Sequence, residues 1–244
     1  MDLHKVELIL VQPLFLIPRN QLTAFSMSCE FLSCELTVKA GNLISFEWRE
    51  TLSEYVRLNA LPVEKYGHQP RLYALTLKVG AGLAYDDDVV YAATWLHDLG
   101  VFAGHRPEDL QQLARWDHVA YAVEKVPGIL DECGFDGTKV AAVLECIRNH
   151  QPKDEPQSVE STILRDADIL EQLGAVGIMR TVCKVGRDTR FATFSDAAAS
   201  LQKAIVELPG KLRLETSRKL ARERMRVHRE FLAALAGEAD GRLF

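Results

Sequence analysis

The sequence predicts an all-α protein, and three observations carry the prediction. From about Phe46 onward, apolar residues recur three and four positions apart, the spacing that puts them on one face of a helix. Strand-like alternation is nearly absent from the same stretch. Helix punctuation falls between the periodic runs, with Pro70, the run Asp86-Asp-Asp88 and Pro209-Gly210 as its clearest marks.

The elements follow in order. Residues 1–45 stand apart, rich in Leu, Phe, Ser and Cys, with irregular periodicity and one alternating piece, Cys34-Glu-Leu-Thr-Val-Lys39. A short hairpin or a poorly ordered arm fits them. So does upstream sequence read from a start codon set too early, with Met27 as an internal start. Residues 46–244 then form the main domain. His68, Leu72, Leu75 and Val79 share one stripe, and Pro70 lies in the first turn, where its missing N–H costs little. Asp86-Asp-Asp88 offers N-caps to a helix carrying Val89, Ala92, Ala93 and Leu96, which Gly100 can end. Further helices fit 107–126, 137–150 and 158–174, and residues 196–237 read as two helices broken at Pro209-Gly210.

Composition narrows the function classes. The chain has 244 residues, 48% hydrophobic and 26% charged, enough to bury a sizeable core. A net charge of −5 and a pI near 5.8 argue against a nucleic-acid polymer as partner, which would call for a basic surface. A small phosphorylated ligand needs only a few local cations. The apolar run Leu8 to Ile17 is interrupted by Gln12 and Pro13 and is too short to span a bilayer, and no clean signal-peptide cleavage site follows it. Five cysteines without a CxxC pair suit a reduced, cytoplasmic setting, with Cys133, Cys146 and Cys183 as small core residues. Assembly into an oligomer is left open.

Histidine placement is the informative feature. His68 begins a helix, His97-Asp98 ends the next in Trp95-Leu-His-Asp-Leu-Gly100, and His118 follows in Trp116-Asp-His118. His150 closes a helix on the stripe of Val140, Val143 and Ile147, and Asp166-Ala-Asp168 sits in a late helix. Imidazole and carboxylate groups hold a borderline divalent metal while leaving positions open for water. Adjacent His and Asp can both reach one ion at a helix end, where local unwinding relaxes the 100° between neighbours. Taken singly, His118 or His150 is more often a hydrogen-bonded core residue, and Asp166 or Asp168 a solvated one. Together they are hard to explain as separate accidents, because a shared ion satisfies several buried ring nitrogens at once.

The ordered set His68 … His97-Asp98 … Asp168 resembles the H…HD…D signature of the HD-domain metal-dependent phosphohydrolases. Gly67-His-Gln-Pro-Arg71 and Asp166-Ala-Asp-Ile-Leu-Glu-Gln-Leu-Gly-Ala175 match as phrases, as does Gly177-Ile-Met-Arg180, and the late helix from Lys211 to Leu232 is similar to one small single-domain subgroup. The resemblance covers roughly residues 50–240. It implies a helical bundle with His68, His97, Asp98 and Asp168 as ligands of a divalent ion, whether Mn, Fe, Co, Ni, Zn or Mg. It prefers Asp168 to Asp166 by its Ala-Asp-hydrophobic-Leu context. It gives His118 and His150 either a second ion or the substrate phosphate, and Asp98 a catalytic role beside the water. The H-H-E…G-Y-P features of the HD-GYP group and the Glu-Asp pair of alarmone hydrolases are missing, which argues against both of those activities.

Basic residues complete the candidates. Arg71, Lys78, Arg148, Arg180, Lys184, Arg187 and Arg190 offer donors to a phosphate. Arg71 and Arg180 are preferred as substrate-binding residues. The basic stretch Lys211–Arg229 reads mostly as a solvated face, His105 as a loop residue near the site mouth, and His4 and His228 as uninvolved. The expected activity is hydrolysis of a phosphate ester or anhydride in a small molecule, a nucleotide among the candidates. Two alternatives stand beside it: a di-iron HD-domain oxygenase, and a non-catalytic nucleotide-binding HD module.

Overall fold

The computed structural model describes residues 41–62, 65–187 and 191–243, with side chains from Glu47 onward. The alternating piece 34–39, Cys29, Cys34 and His4 lie outside that range. Ten α-helices order the described chain: α1 Gly41–Asn59, α2 His68–Val79, α3 Asp87–Leu96, α4 Leu110–Leu113, α5 His118–Glu132, α6 Val140–Arg148, α7 Val159–Glu171, α8 Gly174–Val182, α9 Phe194–Glu207 and α10 Glu215–Ala239. No strand occurs among the described residues; a single isolated bridge joins Ala103 and Arg106. The all-α expectation holds.

The centre of the bundle is α3. Every residue from Val89 to Leu96 is buried, so this helix is apolar all round, the pattern of an element enclosed by others. Asp86 caps it by accepting from the backbone N–H groups of Asp88 and Val89. Helices α1, α2, α6 and α7 pack against it. The first contributes Trp48, Leu52 and Val56, and Ala60 just past its end continues this stripe of four-residue spacing. It starts at Gly41, ahead of the expected domain boundary at residue 46. Arg49 ties it to the start of α3 through ion pairs with Asp87 and Asp88.

Four local expectations are corrected. Residues 107–126 do not form one helix. Asp117 caps a new helix by accepting from Val119 and Ala120 N–H, and the Trp116 indole N–H donates to the Gly100 carbonyl at 2.7 Å, so the chain turns before His118. Gly100 does not end α3, which stops at Leu96; it lies in the 3₁₀ turn Leu99–Val101. There a Cβ would sit 2.6–2.9 Å from the backbone and Cβ of His118, so only glycine lets α5 come this close. Gly174, at φ +74, turns the chain into α8, a helix absent from the sequence reading. Finally, Cys146 is buried and Cys133 half-buried, but Cys183 is exposed rather than a core residue.

Candidate metal centre

The candidate residues come from the ends of helices, as befits groups that must converge from several directions. His68 is the first residue of α2, and His97 is the C-cap of α3, still helical at φ −57, ψ −34. The chain leaves the helix at Asp98, at φ −98, ψ 14, in the sparsely populated bridge region. That unwinding swings the Asp98 carboxylate around beside the His97 ring. His118 opens α5 and His150 lies two residues past α6. Asp168 alone projects from a helix interior, on α7.

The side chains meet. Ligand atoms of His68, His97 and Asp98 lie within 4.8 Å of one another, and so do those of Asp98, His118 and His150. Asp98 belongs to both groups. Its Oδ2 is 3.6 Å from His97 Nε2 and 3.8 Å from His68 Nε2, while Asp168 Oδ1 is 3.6 Å from His68 Nε2. The imidazoles stand edge to face in a row, His68 to His97 at 5.3 Å, His97 to His150 at 5.0 Å and His150 to His118 at 6.0 Å between centroids.

These separations suit an ion better than direct bonds. At 3.6–3.8 Å the nitrogens and oxygens are too far apart for hydrogen bonds, and Nε2 of buried His68, the nitrogen that faces them, lacks a hydrogen-bond partner. Leaving such groups unbonded away from water is costly. A divalent ion among them resolves the deficit, and the nitrogen-and-carboxylate donor set fits it. His97 and His150 are already oriented for that role. The Nδ1 of each faces a backbone carbonyl, Thr94 at 2.9 Å and Ile147 at 2.7 Å, which fixes the proton there and turns the Nε2 lone pair inward.

Electrostatics agree with coordination. Burial works to raise the Asp98 carboxyl, but the surrounding imidazoles of His97, His68, His150 and His118 outweigh it and hold the group far below the usual carboxylate range. Burial lowers both His118 and His150 from their ordinary values, favouring the neutral imidazole that ligates metal.

Around this core stand residues with other tasks. Asp166, fully buried, accepts backbone N–H groups of Arg213 and Leu214 and so fastens α7 to the start of α10. It faces away from the cluster that Asp168 joins. Arg71 and Arg180 are both committed to Glu171. Arg71 donates through Nε and Nη2 at 3.0–3.1 Å, and Arg180 through Nη1 at 3.1 Å. Lys78 and Arg148 are exposed, Lys184 stacks over Phe191, and Arg190 lies outside the described residues. His105 Nδ1 pairs with the Tyr121 hydroxyl at 3.0 Å, outside both ligand groups.

Two further residues escape sequence reasoning. Arg165 donates to the carbonyls of Gln151, Pro152 and Lys211, clamping the chain immediately after His150. Glu171, one turn beyond Asp168, is 1% exposed, with Oε2 3.4 Å from His68 Nδ1. Burial would raise its carboxyl, but His68 and Arg71 hold it down at about 2. Glu171 lies within the phrase 166–175 but has no role assigned by it, and only partners from distant elements give either residue a task.

Residues 66–173 match the HD domain, a span that contains all six clustered His and Asp residues. That match, to an HD domain, covers a little under half of the chain. The chain has the fold of Bacillus subtilis YpgQ, solved in complex with ADP. The two share 23% identity and a TM-score of 0.65 over 81% of this chain and 98% of that one. A predicted HD superfamily hydrolase from an uncultured Thermotogales bacterium is 25% identical, with a TM-score of 0.51, over 81% of this chain and 91% of its own. Among curated proteins, the 3'-5' exoribonuclease YhaM of Listeria monocytogenes is 29% identical over 119 residues, 47% of this chain. The match spans only 38% of that relative's length. Among the described residues, no helix is long and apolar enough to cross a membrane.

Proposed function

We propose that this protein is a metal-dependent phosphohydrolase that acts on a small phosphorylated molecule, a nucleotide being the leading class. The single observation that carries the reading is the sharing of Asp98 between two groups of potential ligands, His68 with His97 and His118 with His150. Asp168 joins the first group through its approach to His68. His68, His97, Asp98 and Asp168 would hold the first ion. The hydrolase name of the Thermotogales neighbour and the ADP bound to YpgQ support the reaction class and the nucleotide.

When bound, the ion supplies Lewis acidity, bringing a water toward ionisation near neutral pH and drawing charge from a phosphoryl oxygen. The protein does the rest. Asp98 is 23% exposed, open enough to meet solvent, and its firmly ionised carboxylate orients a water by accepting a hydrogen bond. His118, half-buried beside it, and His150 face the same space and either stabilise charge developing on the phosphate or hold a second ion. Arg71 and Arg180 neutralise charge on the substrate from the rim through donors not used on Glu171. The chain's net charge of −5 favours a small anion over a polymer.

The test is metal analysis of protein purified without chelator, then a phosphate-release screen over nucleotides, sugar phosphates and a single-stranded RNA oligonucleotide. Release from small nucleotides in the presence of Mn²⁺, Co²⁺ or Ni²⁺, abolished by chelator, is the expected result. Shortening of the RNA without turnover of any small compound overturns the substrate class, and absence of bound metal overturns the mechanism.

A further inference from the structure

The three most buried imidazoles of the cluster are oriented by two different devices. His97 and His150 each set Nδ1 against a backbone carbonyl three residues back, at 2.9 Å and 2.7 Å. A carbonyl only accepts, so the proton stays on Nδ1 and Nε2 is left with its lone pair. His68, the first residue of α2, has no such carbonyl on its Nδ1. Its Nε2 side faces Asp98 at 3.8 Å and Asp168 at 3.6 Å. Two acceptors on that side draw the proton to Nε2, the wrong nitrogen for a ligand.

Glu171 is the counterweight. Its Oε2 stands 3.4 Å from His68 Nδ1, near enough to attract a proton there electrostatically though short of hydrogen-bond geometry, and its side chain is 1% exposed. Arg71 on α2 and Arg180 on α8 grip the carboxylate from two directions. A buried carboxylate so gripped is fixed in place and in charge. We propose that Glu171 is a positioning residue that keeps the His68 proton on Nδ1, so that Nε2 is free to coordinate. The proposal rests on the metal reading of His68, and it gives the two arginines a role besides any contact with substrate. Outer-shell acceptors of this kind fix the ring and raise ligand basicity, and losing one commonly costs about 10–100-fold in metal affinity.

The test reads the tautomer directly. Chelator-treated full-length protein with ¹⁵N-labelled histidine is examined at pH 8 by long-range proton–nitrogen correlation, with His68 assigned by the signal lost in His68→Gln. Zinc affinity is measured alongside by competition with a chromophoric chelator. The wild type should show a proton on Nδ1 of His68. In Glu171→Leu it should move to Nε2, and zinc affinity should fall about 10–100-fold. Glu171→Gln keeps an acceptor oxygen and should restore the wild-type tautomer and most of the affinity.

A wild-type His68 protonated on Nε2 overturns the proposal, whatever the variants do. So does an unchanged tautomer in Glu171→Leu, even if zinc affinity drops, since the effect would then be charge alone. If Glu171→Leu does not fold, Glu171→Met takes its place, judged by the same tautomer. Failure of the metal reading looks different: the wild type binds no zinc while the tautomer still follows Glu171.

Discussion

A Cβ on Gly100 would stand 2.6 Å from the carbonyl oxygen of His118 and 2.7 Å from its Cα. The turn that follows Asp98 is therefore packed directly against the start of α5, with Trp116 bonded to the Gly100 carbonyl on the other side. This contact sets the spacing between Asp98 and His118. Gly100→Ala should push α5 outward, destabilising the fold by about 1–3 kcal/mol as an overpacked contact does. It should weaken any function of His118 while sparing the His68, His97 and Asp168 side. Full activity at wild-type stability, read by thermal melting and turnover, would show that α5 yields without cost.

The two aspartates of Asp166-Ala-Asp168 should separate cleanly. Asp166→Asn replaces an acceptor of two backbone N–H groups in a fully buried place. It should cost about 1–3 kcal/mol of stability and leave metal content near normal. Asp168→Asn removes a charge 3.6 Å from His68 and should lose metal and turnover with a smaller effect on the metal-free melting temperature. Metal analysis and melting of both variants decide the matter, and the reverse pattern would exchange their roles.

Much of this was legible from residue spacing. The stripe Leu72, Leu75, Val79 and the capped start at Asp86 are local signals, and local signals survive folding. The break before His118 was not legible, because it depends on the Trp116 indole finding a carbonyl sixteen residues away. Helix α8 was not read from the sequence, because Gly174 and Gly177 are poor helix formers and the turn at Gly174, φ +74, that starts it is a matter of backbone geometry. At the site, His and Asp stand out by type, whereas Glu171 and Arg165 look like ordinary polar positions on a helix. Only Arg71, Arg180 and His68 around the first, and three carbonyls around the second, give them a task.

Stability should fall in acid partly through His228. This residue of α10 is fully buried. Its Nδ1 accepts the Gly174 N–H at 3.4 Å, and burial holds its pKa below the ordinary 6.5. The folded protein thus binds fewer protons there than the unfolded chain once the pH drops below 6.5. The contribution is intact above 6.5 and is lost as pH falls from there toward the folded pKa, at no more than about 1.4 kcal/mol per pH unit for one proton. His228→Gln, which keeps an acceptor but does not titrate, should flatten the fall of melting temperature between pH 6.5 and 5. An identical slope in wild type and variant would remove His228 from the account.

The last prediction separates hydrolysis from oxygen chemistry and turns on His118 and His150. Both stand with Asp98 in the second ligand group, yet their surroundings differ: His150 is buried and locked to Ile147, while His118 is half-buried at the start of α5. In a one-metal hydrolase, replacing either with Ala lowers turnover but leaves about one ion per chain, because the imidazole serves the phosphate. In a two-metal hydrolase each replacement costs the second ion, and turnover stays indifferent to oxygen. A two-iron oxygenase would lose an ion as well, but its turnover needs dioxygen and reduced iron. Phosphate release that is equal in air and under argon is the outcome expected here, with the ion count of the two variants fixing one metal or two. Because His150 is already aimed inward by its backbone contact, His150→Ala should do the greater harm. Oxygen-dependent turnover with no phosphate released from any phosphorylated compound would sink the hydrolase reading and leave the cluster as an iron site.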